Sequence, residues 1–389
     1  MRNSQSCAKV KVFMLHTPFY DPKKTYEENY TEGPFGAFSD GVVFGDKDEP
    51  KFDFLGFKIN SPFGIEAGPL VNGKFIKAGL DKGFDICVYK TVRSRAKKVN
   101  QWPNVLPLDI TGDLTIEKAR QGVVTKKDFS EPLAITNSFG NPCYPPEVWA
   151  PDMADVVKYA NERKGKMVWG MIEGTRWDEN FTEEDFLNDW VTVARMMNET
   201  KINLIEANFS CPNEGDKVKR LLCFDISQSR RIAEAVKKEI GNTPLIIKIP
   251  YFESEDELRN MVKELGTIAD GFSAINTIPS AVRDEEGNQA LPGGEWRLKS
   301  GICGAPIKWA GLEMVKRLKK LREEFNYKFQ IIGVGGVTTA DDFFEYRQAG
   351  ADIVMSVTGA MWNPYLAKEI KSRLLGVADP RLTSGEKIG

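Results

Sequence analysis

The stretch that decides the fold is residues 205–215, IEANFSCPNEG, in which an apolar run stops at a Ser-Cys-Pro-Asn turn. The first half has the length and composition of a buried strand, and the second half carries the thiol of Cys211 between two carboxamides, Asn208 and Asn213. A thiol directly after a strand can act as a base or nucleophile, while carboxamides offer hydrogen-bond donors and acceptors to a polar planar ligand. A cysteine in this position is more often only a small buried apolar residue, so the rest of the chain decides its role.

Segments of the same kind recur from residue 54 onward, where short apolar runs alternate with amphipathic stretches. This alternation is typical of repeated strand–helix units and a parallel sheet. We predict eight strands, at residues 63–67, 86–91, 167–173, 204–209, 245–249, 271–276, 329–333 and 353–357. Apolar residues that recur at three and four positions predict helices at 183–197, 227–240, 254–265, 308–325 and 340–349. Eight such units favour an α/β fold, a closed (β/α)8 TIM barrel.

The barrel is predicted to occupy residues 53–389, preceded by an N-terminal extension at residues 1–52 that packs on it. Two segments, 93–164 and 277–305, are longer than a minimal barrel needs. Long loops in a compact domain are usually functional, and the loops after the strands form the active-site face of a barrel. We therefore predict that both insertions overhang Cys211.

Composition narrows the classes of function. The 53 Lys and Arg residues nearly balance the 55 Asp and Glu residues, so no general electrostatic reason exists to expect nucleic acid as a partner. The six cysteines never form a Cys-x-x-Cys pair, which argues against zinc ribbons and iron–sulfur ligation, and we predict no metal site. His16 is the single histidine, so we expect a base of another kind.

Hydropathy predicts a cytoplasmic protein without membrane contact. No apolar run approaches the ~18 residues that a membrane span needs. The first ten residues lack the apolar core of a signal peptide.

Polar residues end several of the predicted strands. Lys90 ends the second strand, Asn208 lies in the fourth, Lys248 in the fifth, and Asn276 with Thr277 ends the sixth. A lysine in an apolar run is costly to bury without an anionic or acceptor partner. One such lysine could form a structural ion pair, but two lysines with several asparagines at equivalent positions predict a polar ligand that carries negative charge.

Glycine-rich turns follow the last two predicted strands. Gly335 and Gly336 come after the seventh strand, Thr358 and Gly359 after the eighth, and Gly301 precedes another predicted helix. Barrels commonly bind phosphate at this place, through N–H groups of glycine-rich loops and of a short helix. Glycine also ends strands for conformational reasons alone, but its presence after both strands predicts a phosphorylated cofactor.

Together these residues resemble the FMN-dependent dihydroorotate dehydrogenases, especially their soluble branch with a cysteine base, and the related pyrimidine-reducing domain of dihydropyrimidine dehydrogenase. The resemblance covers residues from about 53 to 375 and is most specific at residues 208–213, NFSCPN, the active-site loop of the family. It implies a flavoenzyme that oxidises dihydroorotate to orotate in pyrimidine biosynthesis, with FMN as cofactor. Hydride would pass from C6 of the substrate to N5 of FMN, and a proton would pass from C5 to Cys211.

The resemblance also implies a role for each of these residues. The two residues implied to be catalytic are Cys211 and Lys248. Lys248 would stabilise the negative charge at N1–C2 of the reduced flavin. The residues implied to bind the substrate are Asn137, Asn208, Asn213, Asn276, Thr277 and Lys90. Those implied to bind FMN are Ala67, Gly68, Lys90, Thr91, Lys248, Gly301, Gly335, Gly336, Thr358 and Gly359. The charged segment 214–220 is predicted to be a mobile lid that excludes water.

Two alternatives stay open. Residues 141–146 depart from the dihydroorotate pattern, and residues 276–288 with 300–304 are nearer to the dihydropyrimidine dehydrogenase pattern, which favours uracil or thymine reduction. Asn213 fits the dihydroorotate group better, because the other group tends to carry histidine there. The second alternative is a non-catalytic barrel that binds a phosphate ligand. The electron acceptor stays open between fumarate, NAD through a partner subunit, and another compound. The resemblance also implies a homodimer.

Overall fold

A closed barrel of eight parallel strands forms the body of the protein, for which a computed structural model describes residues 15–46, 48–210 and 221–376. Each barrel strand pairs with its neighbours in chain order, and the eighth strand pairs with the first. The first to eighth barrel strands are Phe63–Ile65, Ile86–Val92, Met167–Ile172, Ile205–Asn208, Leu245–Ile249, Gly271–Ala274, Gln330–Val334 and Ile353–Ser356. The predicted (β/α)8 barrel is confirmed, and every predicted strand boundary lies within two residues of the observed one.

Helices cover the outside of the barrel. They are Gly73–Asp81, Pro146–Asn161, Glu183–Glu199, Ile226–Ile240, Glu255–Leu265, Lys308–Glu324, Ala340–Ala349 and Leu366–Leu374, with a short helix, Thr358–Trp362, after the eighth strand. All five predicted helices are present. Two of them start at reciprocal caps, in which Thr182 and Thr339 exchange hydrogen bonds with the residue three positions later.

Two apolar clusters stabilise the barrel. Strand residues such as Ile86, Trp169 and Met355 fill the interior, and a larger cluster lies between the strands and the helices. The hairpin of Phe52–Phe54 and Phe57–Ile59 packs on the interior cluster, with the ring of Phe54 centred 5.8 Å from that of Trp169. This hairpin precedes the first strand and packs on the side chains inside the barrel.

The two long insertions form one small sheet instead of separate irregular loops. Its strands are Leu108–Asp109, Val123–Thr125, Ala134–Asn137, Ile278–Arg283 and Lys299–Gly304, and a short helix, Ile116–Gln121, lies among them. Lys299–Gly304 pairs antiparallel with both Ala134–Asn137 and Ile278–Arg283. The sequence predicts two long loops, but each insertion contains strands, because strands of one insertion form hydrogen bonds with strands of the other.

The first insertion is also shorter than predicted. Its last part, Pro146–Asn161, is the barrel helix that follows the second strand. Several prolines near residue 146 are typical of a loop. Pro146, however, lies in the first helical turn, where a backbone N–H would have no intrahelical acceptor and proline therefore costs no hydrogen bond. Trp149 and Met153 bury the inner face of this helix.

The described part of the N-terminal segment, residues 15–46, packs on the barrel. It contains the helix Tyr26–Glu32, and its Phe19 and Tyr20 are buried in the cluster that the barrel helices share. The Phe19 N–H donates to the carbonyl of Met361 at 3.0 Å. The domain boundary near residue 53 stays a prediction. No helix in the described part of the chain combines the length and apolar character that a membrane crossing requires.

Candidate active site

A cleft of about 800 Å³, its open mouth included, lies where the barrel strands end. Twelve of the predicted site residues line it: Ala67, Gly68, Lys90, Thr91, Asn137, Asn208, Lys248, Asn276, Thr277, Gly335, Gly336 and Thr358. Cys211, Asn213 and the predicted lid at 214–220 lie outside the described residues.

Two predicted cofactor residues lie behind the wall of the cleft. Gly301 is buried in the strand Lys299–Gly304, where a Cβ atom would overlap Oγ1 of Thr277. A Cβ atom on Gly359 would come 2.5 Å from the carbonyl oxygen of Val337. Both glycines therefore let neighbouring residues pack closely, and Gly304, from the same strand as Gly301, lines the cleft.

One end of the cleft is built from backbone with few side chains. Gly335 has φ +123° and Gly336 φ +68°, in the left-handed region that glycine enters at low cost. A Cβ atom on Gly336 would come 2.7 Å from the backbone of Lys308. Beside these glycines the helix Thr358–Trp362 begins, where the Ala360 N–H already donates to Oγ of Ser356 and the N–H groups of Thr358 and Gly359 precede it. A surface with few Cβ atoms and several backbone N–H groups fits a phosphate group.

Lys248 is buried in the cleft between two carboxylates. Its Nζ lies 3.3 Å from Oε2 of Glu66 and 3.9 Å from Oε1 of Glu206. It also donates to Oγ of Ser273 at 3.1 Å, the residue beside it on the neighbouring strand. The sequence predicts that a buried lysine needs such a partner, but sequence reasoning missed Glu66 and Glu206. The available signal was a carboxylate directly after the first strand, at Glu66, and another inside the fourth strand, at Glu206.

A second buried ion pair orients Asn208. Nη2 of Arg93 donates to Oε1 of Glu173 at 2.7 Å, and both side chains are shielded from solvent. Nδ2 of Asn208 donates to the other oxygen of Glu173 at 3.0 Å. Oδ1 of Asn208 then accepts from the N–H of Ser210 at 3.3 Å and from Nδ2 of Asn276 at 3.4 Å. The ion pair thus fixes which way the Asn208 amide points, and sequence reasoning missed both of its members.

Thr277 and Lys90 both line the cleft. Oγ1 of Thr277 is buried next to Gly301 and has no hydrogen-bond partner among the described residues, although a buried hydroxyl normally has one. Nζ of Lys90 lies 5.8 Å from the ring centre of Phe139, so an aromatic face shields one side of a nearly buried cation.

Comparison with known proteins agrees with this geometry. The family model of dihydroorotate dehydrogenase matches residues 51–377. A dihydroorotate dehydrogenase of Dictyostelium discoideum is 34% identical over 371 residues, which cover 91% of this chain and 96% of that protein. The catalytic subunit of a dihydroorotate dehydrogenase B (NAD(+)) of Thermodesulfovibrio yellowstonii is 26% identical over 276 residues, 69% of this chain and 82% of that subunit.

A solved structure supports the fold as well. The crystal structure of DHODH from Eimeria tenella in complex with ferulenol superposes with a TM-score of 0.63 at 20% identity, covering 86% of this chain and 87% of that one. At this identity the likeness concerns the fold alone. The family model, by contrast, spans the barrel together with all twelve cleft residues named above. The chain belongs to the dihydroorotate dehydrogenase family.

Proposed function

We propose that this chain oxidises dihydroorotate to orotate in pyrimidine biosynthesis, with FMN in the cleft and Cys211 as the base. The proposal rests on one observation above all: Asn137, Asn208 and Asn276 meet in a single cleft with the buried Lys248. Three carboxamides can match the alternating N–H and C=O groups of a pyrimidine ring. A buried cation favours a ligand that gains negative charge during the reaction.

The cleft residues fit FMN. Gly335, Gly336 and Thr358 would hold the phosphate, and Ala67 with Gly68 would lie beside the ring system. Gly68 has φ +138°, and a Cβ atom there would touch only Val357, at 3.9 Å, so the backbone leaves open space on this side. Bound there, FMN would supply the acceptor for the hydride that leaves C6 of dihydroorotate.

The protein's own residues would bind the substrate and take up its proton. Cys211 follows directly on the strand that carries Asn208 and is the base proposed to remove the proton from C5 of the substrate. Lys90 and the unpartnered hydroxyl of Thr277 would contact the substrate or the cofactor beside it. Lys248 would stabilise negative charge that develops on the cofactor ring. We further propose that the protein is a cytoplasmic homodimer. Its reduced FMN would be reoxidised by fumarate or by NAD through a partner subunit.

The glycine turn gives a direct test of FMN binding. Purified protein should bind FMN and show a flavin spectrum, and Gly336→Ala should weaken that binding at least tenfold, or about 1.4 kcal/mol. The reason is that an added Cβ at φ +68° would press on the Lys308 backbone at 2.7 Å. Fluorescence titration of the apoprotein with FMN measures the affinity.

Gly287→Ala is the matched control for this substitution. Gly287 also has a left-handed φ, +88°, but nothing lies within 4 Å of an added Cβ atom, and the residue is away from the cleft. Its FMN affinity should stay that of the unmodified protein. A protein that binds no FMN, or equal affinities for both variants, would contradict the proposed cofactor site.

A further inference from the structure

Three ionisable side chains meet at the cleft floor, and their formal charges do not balance. Glu66 is 3% exposed, Glu206 0% and Lys248 4%. With both carboxylates ionised, this lysine–carboxylate cluster of Glu66, Glu206 and Lys248 would hold one excess negative charge away from water. An unpaired buried charge costs several kcal/mol. One additional proton removes the excess.

The contacts indicate where this proton resides. Lys248 lies closer to Glu66, at 3.3 Å, than to Glu206, at 3.9 Å. The Ser273 hydroxyl, which accepts from Lys248, lies 3.5 Å from Oε2 of Glu66 and can donate to it. Glu66 therefore has the surroundings of an ionised carboxylate.

Glu206 has the surroundings of a protonated one. Its Oε2 accepts from Nε1 of Trp169 at 3.1 Å, but its Oε1 accepts a hydrogen bond from no described donor. A proton on Oε1 would turn this unpaired acceptor into a donor, and Glu66 is the carboxylate that contacts the same Lys248 ammonium group. Burial raises the pKa of Glu206 well above its usual value, and repulsion by Glu66 adds to the effect of burial, whereas Lys248 and the Ser273 hydroxyl oppose it.

We propose that Glu66 and Glu206 share one proton and together carry the single negative charge that balances Lys248. The pair thereby sets how much positive potential Lys248 presents to the cleft. Glu66 and Glu206 are positioning residues in this role, because they act through Lys248. The inference rests on the proposed flavin site, where a cation stabilises the negative charge of the reduced ring.

A shared charge makes a specific prediction for glutamine variants. In Glu66→Gln or Glu206→Gln the remaining carboxylate can ionise and balance Lys248, so the potential in the cleft should change little. In the double variant no carboxylate remains, so Lys248 is uncompensated. The midpoint potential of the bound flavin should then shift to more positive values, because the anionic reduced ring gains a full countercharge.

Sulfite binding to the FMN-loaded protein gives a second readout. Sulfite adds to oxidised flavin and places negative charge on the ring, so its affinity reports the positive potential around the ring. We expect single variants close to the unmodified protein and a gain of ~10-fold or more in the double variant, on the scale of a unit charge acting across a few ångström in a protein. Equal shifts in both single variants that add up in the double variant would overturn the proposal. So would a double variant without any shift.

An infrared measurement tests the shared proton without any cofactor. The apoprotein should show the C=O stretch of one buried protonated carboxyl group, and this band should vanish in either single variant, since the remaining glutamate then ionises beside Lys248. A missing band in the unmodified protein, or a band that survives in either single variant, would overturn the proposal. A protein that fails to bind FMN would contradict the proposed function but would leave this result intact.

Discussion

Replacing Cys211 with alanine is expected to slow the reduction of bound flavin by dihydroorotate ~100-fold or more, the usual scale for a lost general base. The physical reason is the residue inventory at the cleft. His16 is the only histidine of the chain, and it lies against Tyr365 and not in the cleft. The proton from C5 of the substrate therefore needs another acceptor. Anaerobic stopped-flow measurement of flavin absorbance gives the rate.

Cys303→Ala is the matched control, because among the described residues Cys303 is the thiol that lines the cleft. Burial raises the pKa of the Cys303 thiol to about 12, so this thiol keeps its proton at neutral pH and is a poor base. Its variant should reduce flavin at a rate close to that of the unmodified protein. If flavin reduction is unchanged in Cys211→Ala but lost in Cys303→Ala, then Cys303 is the base and the role proposed here for Cys211 is wrong.

Replacing Arg93 with alanine is expected to lower the free energy of unfolding by ~3–5 kcal/mol, the scale for breaking a buried ion pair. The carboxylate of Glu173 would remain buried without the 2.7 Å contact from Arg93. The same change should weaken substrate binding, because Glu173 fixes the orientation of the Asn208 amide. Urea denaturation gives the stability, and a titration of the folded variant with orotate gives the affinity.

Arg120→Ala is the control for this variant. Arg120 pairs with Glu253 at 2.5 Å, but the two side chains are 65% and 56% exposed. An exposed pair contributes only about 0–1 kcal/mol, so this variant should unfold almost like the unmodified protein. An equal loss of unfolding free energy in Arg93→Ala and Arg120→Ala would contradict the claim that the buried Arg93–Glu173 pair contributes more to stability than an exposed pair.

The sequence predicts the barrel and most of the cleft because both are encoded locally. Apolar runs mark the strands, and in a parallel barrel the carboxyl ends of all strands, with the loops that follow them, lie at the same opening. That rule alone brings Lys90, Asn208, Lys248 and Asn276 together, as observed. No knowledge of distant contacts is needed for these positions.

Features that depend on distant partners were missed. Arg93 and Glu173 are 80 residues apart in the chain, and the sequence around either residue does not indicate that the other is its partner. The sheet built from the two insertions likewise exists only when both are present. Glu66 directly follows the first strand and Glu206 lies inside the fourth, and only the folded barrel shows that Lys248 lies between the two carboxylates.

Anaerobic mixing of the FMN-loaded protein with dihydroorotate tests the central claim most directly. The account predicts that dihydroorotate bleaches the flavin absorbance and that orotate appears in an amount equal to the flavin reduced. Dihydrouracil, which lacks the carboxylate, should leave the flavin oxidised on the same time scale. Bleaching by dihydrouracil alone, or no bleaching by either compound, would contradict the proposal that this chain is a dihydroorotate-oxidising flavoenzyme.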